Sequence, residues 1–208
     1  MSDGNIKDTT RQYFDSTAET YDTSHDGQFV KGMYQEILTR MQQIPASSVL
    51  DLGCGNGNVI CLLKKHVNAR YYGLDLSEKM IEEAGKRLGG DVELTVGDAE
   101  KLPYEDNSFD VVICNASFHH YPSPEKAVNE IRRVLKPGGT LILGDPTAPF
   151  RLLVKILNWG MKFSNSGDAR IWHKSEIIKL FRQNGFRVEK WKYVNHETFM
   201  MNAVLEVS

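Results

Sequence analysis

The sequence predicts an α/β protein with one doubly wound sheet of seven strands, mostly parallel and with an antiparallel last strand. From Val49 onward, strand-like apolar runs alternate with amphipathic helical segments, the pattern of β-α units in a parallel sheet. The last two strand-like runs leave no room for a crossover helix, so they must pair antiparallel. The 208 residues, 41% hydrophobic and 25% charged, are typical of a single globular domain.

The first five strands are predicted with helices between them. The strands are expected at "SVLDLG", "RYYGLDL", "DVELTVGD", "FDVVICN" and "TLILGD". The helices are expected at "NVICLLKKHV", "EKMIEEAGKRL" and "SPEKAVNEIRRVL". Ser77 and Ser123 are placed to cap the second and third helix, and Pro124 suits the first helical position because its missing N–H costs nothing there. The "KPGG" that follows ends the third helix.

The two ends of the chain add helices and a hairpin. "TTRQYFDSTAETYD" and "MYQEILTRMQQI" predict two helices that cover the open side of the sheet. After Pro146 the pattern becomes irregular or helical, until Ser175 starts the helix "EIIKLFRQNG", closed by Gly185. The strands "FRVEKWKYV" and "TFMMNAVLEV" form the final antiparallel pair.

Composition excludes several classes of protein. A formal net charge of −2 does not favour nucleic-acid binding, which needs a basic surface. Cys54, Cys61 and Cys114 show neither CxxC pairing nor zinc-finger spacing, so we expect reduced thiols and no metal site. The opening "MSDGNIKDTTRQ" is too polar for a signal peptide, and no apolar run reaches the roughly 18 residues of a membrane span. We therefore expect a cytoplasmic protein without membrane contact.

The stretch "VLDLGCGNGNV" places Gly53, Gly55 and Gly57 where a buried strand turns into a helix. In a doubly wound sheet this turn contacts the ligand, because its free N–H groups and the helix dipole face the binding crevice. A dinucleotide-binding loop reads GxGxxG, and Asn58 breaks that pattern. A tight turn without a ligand remains an alternative interpretation.

Polar residues follow the next three strands as well. Asp75 ends the second strand about twenty residues after the glycines, where a carboxylate can accept hydrogen bonds from both hydroxyls of a ribose. Asp98 ends the third strand, and "NASFHHY" follows the fourth. Four successive strand ends therefore present polar or small residues at one edge of the sheet.

With these motifs the sequence resembles the class I S-adenosylmethionine-dependent methyltransferases, in the methyltransferase-11-like branch that includes the ubiquinone and menaquinone C-methyltransferases. The resemblance rests on "YFDSTAETYD", "VLDLGCGNG", "GLDLSEKMIEEA", "GDAEKLPYEDNSFDVV", "NASFHHY" and "EIRRVLKPGGTLIL", in that order. It covers residues 10 to 145 and implies the Rossmann-like fold of that class, with S-adenosyl-L-methionine as cofactor.

The resemblance also implies roles for individual residues. Asp75 would hold the ribose, Leu76 and Met80 would pack on adenine, and Asp98 would accept from the adenine amino group. The complete set of implied cofactor residues is Tyr13, Tyr21, Asp51, Gly53, Cys54, Gly55, Gly57, Asp75, Leu76, Met80, Gly97, Asp98, Ala99, Asn115 and Ala116. Residues 1–208 would form a single methyltransferase domain, with 1–45 as a helical lid and 146–173 as an acceptor-pocket insertion.

Purely structural roles stay open for part of this set. Asp51 could satisfy loop amides, Asp98 could be a turn residue, and Met80 could belong to the core. Tyr13 and Tyr21 could simply pack within their helix.

The chemistry of methyl transfer demands little from the protein. A sulfonium methyl is already activated, so positioning and desolvation supply most of the acceleration, and a general base is needed only when the acceptor must lose a proton. His119 and His120 are the candidate catalytic residues, because histidine titrates near neutral pH. Asp145 and His173 are further candidates. The alternative is that one histidine packs against the cofactor and the other is a solvated loop residue.

The acceptor is expected to be a small, apolar or aromatic molecule. Residues 148–167 contain no acid and carry an apolar stripe, which favours a pocket or lid over plain core or a membrane-surface helix. A nucleic-acid acceptor is not expected, because Asn115 is followed by Ala116 and Ser117 rather than by the prolines that bracket a flipped base. Two other functions remain as alternatives: a nicotinamide oxidoreductase and a non-catalytic, cofactor-binding regulator.

Overall fold

The computed structural model describes residues 3–161 and 167–207. Its strands are β1 Ser48–Leu52, β2 Arg70–Asp75, β3 Glu93–Val96, β4 Phe109–Asn115, β5 Leu135–Pro146, β6 Phe186–Tyr193 and β7 Thr198–Leu205. They form one seven-stranded sheet in the order β3-β2-β1-β4-β5-β7-β6. The first five strands pair in parallel, and β7 runs antiparallel to both β5 and β6. The predicted fold class is confirmed, including the antiparallel last strand.

Seven helices accompany the strands in the described part of the chain. They are α1 Asp3–Thr17, α2 His25–Met41, α3 Asn58–Leu63, α4 Glu78–Leu88, α5 Pro124–Val134, α6 Arg151–Met161 and α7 Lys174–Gln183. Short 3-10 helices cover Ala18–Thr23 and Phe118–His120. Helix α3 is shorter than predicted, because the chain after Leu63 continues in turns. None of the helices in the described ranges is long and apolar enough to cross a membrane.

Helices cover both faces of the sheet and bury an apolar core against each. On one face α2 contributes Met33 and Ile37, together with residues of α3 and α4. On the other face α5 contributes Ile131 and α7 contributes Phe181. These side chains are fully buried. Burying side chains of this size stabilises the fold by roughly 1.5–3 kcal/mol each, so the two layers fix the strand ends relative to one another.

The local signals that begin and end helices were predicted with mixed success. Ser77 caps α4 as predicted, because its hydroxyl accepts a hydrogen bond from the Met80 N–H. The predicted cap at Ser123 is wrong: its side chain makes no capping bond and donates to an Asp3 carboxylate oxygen, at 2.6 Å. Helix α7 begins at Lys174, one residue before the predicted start at Ser175, and its N-cap is His173, whose ring nitrogen accepts from the Ser175 N–H.

The "KPGG" segment ends α5 as predicted, but it is part of β5. Phe109 pairs with Leu135 and Val111 pairs with Thr140, so the register shifts across the segment. Gly138 takes a φ of +77° there, which glycine adopts without strain. The fifth strand therefore begins before the two glycines, not after them.

Candidate active site

A cavity opens at the carboxyl ends of β1, β2 and β4 and encloses about 920 Å³ of empty space, its mouth included. Parallel strands commonly present their ligand sites at this edge. Two of the predicted cofactor residues, Tyr13 and Gly57, lie outside the lining. The predicted residues that line the cavity are Tyr21, Asp51, Gly53, Cys54, Gly55, Asp75, Leu76, Met80, Gly97, Asp98, Ala99, Asn115 and Ala116.

The three glycines after β1 serve different purposes, although all have positive φ angles. A Cβ on Gly53 would collide with the Ser117 hydroxyl, and a Cβ on Gly57 would lie 2.7 Å from a Leu88 methyl carbon. A Cβ on Gly55 would meet nothing within 4 Å. Packing within the protein therefore requires glycine at positions 53 and 57. At Gly55, by contrast, a side chain would project into open space beside the cavity.

Asp75 holds the glycine loop in place. One of its carboxylate oxygens accepts from the Gly55 N–H at 2.8 Å, and the other accepts from the Ser77 N–H at 2.9 Å. Burial raises the pKa of this carboxyl, although the N–H donors of Ser77 and Gly55 oppose the rise. Asp75 thus links the tip of β2 to the loop after β1, and it also lines the cavity.

Asp51 is the most unusual group in the cavity. Its residue is 1% exposed, and neither carboxylate oxygen has a hydrogen-bond partner among the described residues. Burial, with a smaller contribution from the charge of Asp75, raises its pKa to about 8. An unpaired buried carboxylate is costly, so this site is suited to a ligand that brings a positive charge or N–H donors.

Asp22 connects the N-terminal segment to the glycine loop. One carboxylate oxygen accepts from the side-chain amides of Asn56, at 2.9 Å, and Asn58, at 2.7 Å, while the other pairs with Arg87 at 2.6 Å. Burial works to raise the pKa of Asp22, but these three donors outweigh it and lower the pKa. Sequence reasoning missed Asp22 as a site residue, although it closes the "YFDSTAETYD" motif.

Of the expected pair of tyrosines, Tyr21 lines the cavity from the 3-10 helix Ala18–Thr23 and Tyr13 does not. The Tyr13 hydroxyl donates to Asp26 at 2.7 Å, which raises the pKa of Tyr13 to about 12, while the neighbouring Phe14 lines the cavity. Lys7 also lines it and binds Asp98 at 2.7 Å and Glu100 at 2.6 Å. Residues from the predicted lid thus form part of the cavity wall.

The two candidate catalytic histidines occupy different positions. His120 lines the cavity, whereas His119 lies behind it and bonds through Nδ1 to an Asp145 oxygen at 2.9 Å. Burial tends to lower the pKa of His119, but Asp145 outweighs it and raises the pKa. Burial and the neighbouring His119 lower the pKa of His120, which favours its neutral imidazole. Asp168, which belongs to none of the sequence motifs, lies 3.5 Å from both rings.

The segment 146–173, which was predicted to form an acceptor pocket, lies away from the lining of this cavity. None of its described residues lines the cavity. Helix α6 and the residue before it instead present Phe150, Leu152 and Trp159 to solvent, with exposed fractions of 71%, 70% and 66%. Residues 162–166 of this segment lie outside the described residues. The apolar stripe of the sequence is real, but it lies on the surface.

Comparison with known proteins places this architecture in a family. A family model described as a methyltransferase domain matches residues 50–143. The chain is 40% identical over 114 residues to a 37.1 kDa protein encoded in a transposon of Streptomyces fradiae, a match that spans 53% of the chain and 33% of the relative. It is 36% identical over 213 residues to the demethylmenaquinone methyltransferase of Thermotoga maritima, covering 89% of the chain and 91% of that enzyme.

The chain belongs to the S-adenosylmethionine-dependent methyltransferases. This methyltransferase also shares its fold with the 1,6-didemethyltoxoflavin-N1-methyltransferase of Burkholderia thailandensis, a structure that contains S-adenosylhomocysteine. The TM-score is 0.78 at 17% identity, over 100% of this chain and 92% of the other. The predicted family and its cofactor, S-adenosylmethionine, are confirmed, and the nicotinamide oxidoreductase alternative is set aside.

The cavity fits that cofactor. S-adenosylmethionine carries no phosphate, so a phosphate-binding lysine is not required of the loop. Its amino group and sulfonium are positive, which suits the unpartnered carboxylate of Asp51. The open space at Gly55 allows a ligand to approach the loop backbone closely. The unpartnered Asp51 carboxylate and the open space at Gly55 are features of this chain's own structure, and both are consistent with the cofactor of its family.

Proposed function

We propose that this methyltransferase transfers the methyl group of S-adenosylmethionine to a small, apolar or aromatic molecule by in-line displacement. The observation that carries the proposal is the buried, unpartnered Asp51 carboxylate at the base of a cavity whose loop leaves space at Gly55. Family membership supplies the reaction class. The unusual electrostatics of Asp51 mark where the charged end of the cofactor would lie.

The residues around the cavity divide into groups that would hold different parts of the cofactor. Asp51 would accept hydrogen bonds from the amino acid end, and Asp75 from the ribose hydroxyls. Leu76 and Met80 would pack against the adenine. Asp98 would bind the adenine amino group, and in this structure its oxygens already accept from Lys7 and the Glu100 N–H. Cofactor binding at Asp98 would therefore share this carboxylate with Lys7.

The chain's own contribution to catalysis is positioning and exclusion of water. The bound cofactor supplies an activated methyl group whose leaving sulfur departs as a neutral thioether. Phe14, Tyr21 and Val30 bring apolar surface to the cavity wall and would exclude water from the reacting atoms. His120 is the candidate catalytic histidine that lines the cavity. As a neutral imidazole it can accept a proton from an acceptor hydroxyl.

Two observations favour a small apolar or aromatic acceptor. The cavity wall combines aromatic side chains with few free charges, which suits a planar ring. Several relatives are named as demethylmenaquinone methyltransferases, whose substrates are quinone-type rings. A quinol or phenol is therefore the first class of acceptor to be tested.

Turnover assays test the proposal directly. Purified protein is incubated with S-adenosylmethionine and separate panels of quinols, phenols and amines, and products are detected by mass. We expect S-adenosylhomocysteine and a singly methylated product with a quinol or phenol. Cofactor binding without turnover on any panel would instead favour the alternative of a non-catalytic regulator. Methylation confined to amines would contradict the proposed acceptor class.

A further inference from the structure

At the edge of the cavity, three potential metal ligands converge from two segments of the chain. His119 and His120 come from the 3-10 helix after β4, and Asp168 comes from the segment before α7. One ligand atom from each lies within 4.8 Å of the other two. We propose that His119, His120 and Asp168 bind a divalent transition-metal ion of the Zn²⁺ class. Sequence reasoning missed this site, because Asp168 is 48 residues from His120 along the chain.

The distances within the cluster suit a shared ion better than hydrogen bonds. An Asp168 oxygen lies 3.5 Å from His119 Nε2 and 3.5 Å from His120 Nδ1. Charge-assisted hydrogen bonds between such groups are about 2.7–2.9 Å long. Tetrahedral Zn²⁺ with bonds of about 2.0–2.1 Å separates its ligands by roughly 3.4 Å. The observed spacing is close to that of an ion held between the groups.

Asp145 orients the first of the two histidines. It is fully buried and accepts a hydrogen bond of 2.9 Å from His119 Nδ1. When His119 is neutral and this proton is on Nδ1, its Nε2 lone pair, 3.5 Å from Asp168, is available to an ion. Histidines that ligate metals almost always donate their other ring N–H to a carboxylate or carbonyl in this way. The cluster thus contains the supporting hydrogen bond as well as the candidate ligands.

Backbone contacts hold Asp168 beside the histidines. The carbonyl oxygen of His119 accepts from the N–H groups of Ala169, at 2.8 Å, and Arg170, at 2.9 Å. On the other side, the Thr10 hydroxyl donates to the Gly167 carbonyl at 3.0 Å. The same carbonyl lies 3.4 Å from His120 Nδ1. It competes with an ion for that nitrogen when the ring is protonated there.

The ligand set indicates which ions the site would take. Two imidazole nitrogens and one carboxylate favour Zn²⁺, Co²⁺ or Ni²⁺ over Mg²⁺ and Ca²⁺, which prefer oxygen ligands. Three protein ligands leave a tetrahedral ion with one open position. Because His120 lines the cavity, a water molecule or an acceptor oxygen can occupy that position from the cavity side.

This inference goes beyond the proposed methyl transfer and does not depend on it. Methyl transfer can proceed without the ion, because positioning and a neutral His120 suffice for it. A bound ion would promote loss of the same proton in a different way, by lowering the pKa of an acceptor hydroxyl. Metal binding is measured without cofactor or acceptor, so its failure and that of the methyltransferase assay are separate results.

The test is Zn²⁺ titration by calorimetry of the chelator-treated full chain, followed by thermal unfolding with and without Zn²⁺. We expect one ion per chain and a higher midpoint of unfolding. Asp168→Asn should weaken binding at least about tenfold, and Asp145→Asn by about 10–100-fold. His196→Ala, at an exposed histidine outside the cluster, is the matched control and should bind as the unmodified chain does.

Two further measurements make the outcome decisive. Each variant is first checked for cooperative unfolding in the absence of metal, so that a misfolded variant is not scored. Crystals soaked in Zn²⁺ should then show an anomalous peak between His119, His120 and Asp168. Absence of binding, an anomalous peak at another site, or equal affinity in the Asp168→Asn variant would overturn the proposal.

Discussion

The Asn58 amide donates a hydrogen bond of 2.7 Å to Asp22 and thereby joins the glycine loop to the N-terminal segment. A dinucleotide-binding loop would have glycine at this position, where no such bond is possible. Asn56 donates to the same carboxylate oxygen. The residue that breaks the dinucleotide fingerprint therefore has a positive role, which is to hold the N-terminal segment over the cavity.

Removing this connection should loosen the N-terminal segment. Asp22→Ala leaves the buried Asn56 amide without that partner, which costs on the order of 1–3 kcal/mol. The partly exposed pair with Arg87 adds little, because solvent screens it. We expect lower stability in urea and several-fold weaker cofactor binding. Asp8→Ala, at an exposed carboxylate on α1, is the control; equal effects of both variants would show that Asp22 has no special role.

Substitution by alanine should have different effects at Gly55 and at Gly53. Gly55→Ala places a Cβ in open space beside the cavity, at a left-handed backbone position that costs about 1–2 kcal/mol. We expect at least tenfold weaker binding of S-adenosylmethionine by calorimetry and only this modest loss of stability. Gly53→Ala should unfold much more easily, because its Cβ collides with Ser117.

Gly138→Ala is the matched control for Gly55→Ala. Gly138 also has a positive φ and open surroundings, but it lies in the "KPGG" segment away from the cavity. Its substitution should cost similar stability and leave cofactor affinity unchanged. If Gly55→Ala binds the cofactor as tightly as Gly138→Ala does, the ligand does not approach the loop at Gly55.

Asp51 should make the free protein less stable as the pH rises. Its folded-state pKa of about 8 exceeds the ordinary aspartate pKa of about 3.9. Between these values the folded chain binds more protons than the unfolded chain, so the free energy of unfolding falls with increasing pH. Asp51→Asn removes this dependence. Relative to that of the unmodified chain, the free energy of unfolding of the variant should increase by a few kcal/mol as the pH rises from 4 to 8.

Denaturant unfolding of both proteins across this pH range measures the effect. Asp110→Asn is the control, because the pKa of Asp110 is shifted in the opposite direction from that of Asp51. Burial works to raise the pKa of Asp110, but Lys136 and the donors of Ser47 and Ser48 outweigh it and lower the pKa. Its stabilisation is therefore present at neutral pH and is lost as the pH falls into the acid range. A pH-independent difference between Asp51→Asn and the unmodified chain would show that Asp51 titrates normally.

The two histidines should differ in their effects on turnover. His120→Ala should lower kcat by roughly 10²-fold or more on a hydroxyl acceptor, while cofactor affinity changes little, because His120 lines the cavity. His119→Ala acts through its neighbour and should shift the pH profile of kcat. Normal turnover in both variants would exclude a catalytic role for the pair.

The fold was predictable from local signals, and so was much of the cavity. Alternating strands and helices determine the sheet, and residues at successive strand ends meet at one edge because the strands are parallel. This logic correctly brought the glycine loop, Asp75 and Asp98 together, whereas Asp51 was implied by the family resemblance. It could not distinguish a glycine required by packing, such as Gly53, from one that leaves space for a ligand, such as Gly55.

The contacts that sequence reasoning missed depend on tertiary structure. His119 and His120 are adjacent in a 3-10 helix, in which successive side chains project about 120° apart, so only one of them lines the cavity. The partners Asp145 and Asp168 come from other elements of the fold. The stripe on α6 indicates an amphipathic helix but not which side of it is covered, and Leu152 and Trp159 are exposed.

The most direct test of the central claim is a crystal structure of the chain with S-adenosylhomocysteine. We predict that the nucleoside product occupies the cavity with its ribose at Asp75 and the amino group of its amino acid end beside Asp51. The product should also lie against the loop backbone at Gly55. An empty cavity, or a nucleoside bound elsewhere on the protein, would contradict the account.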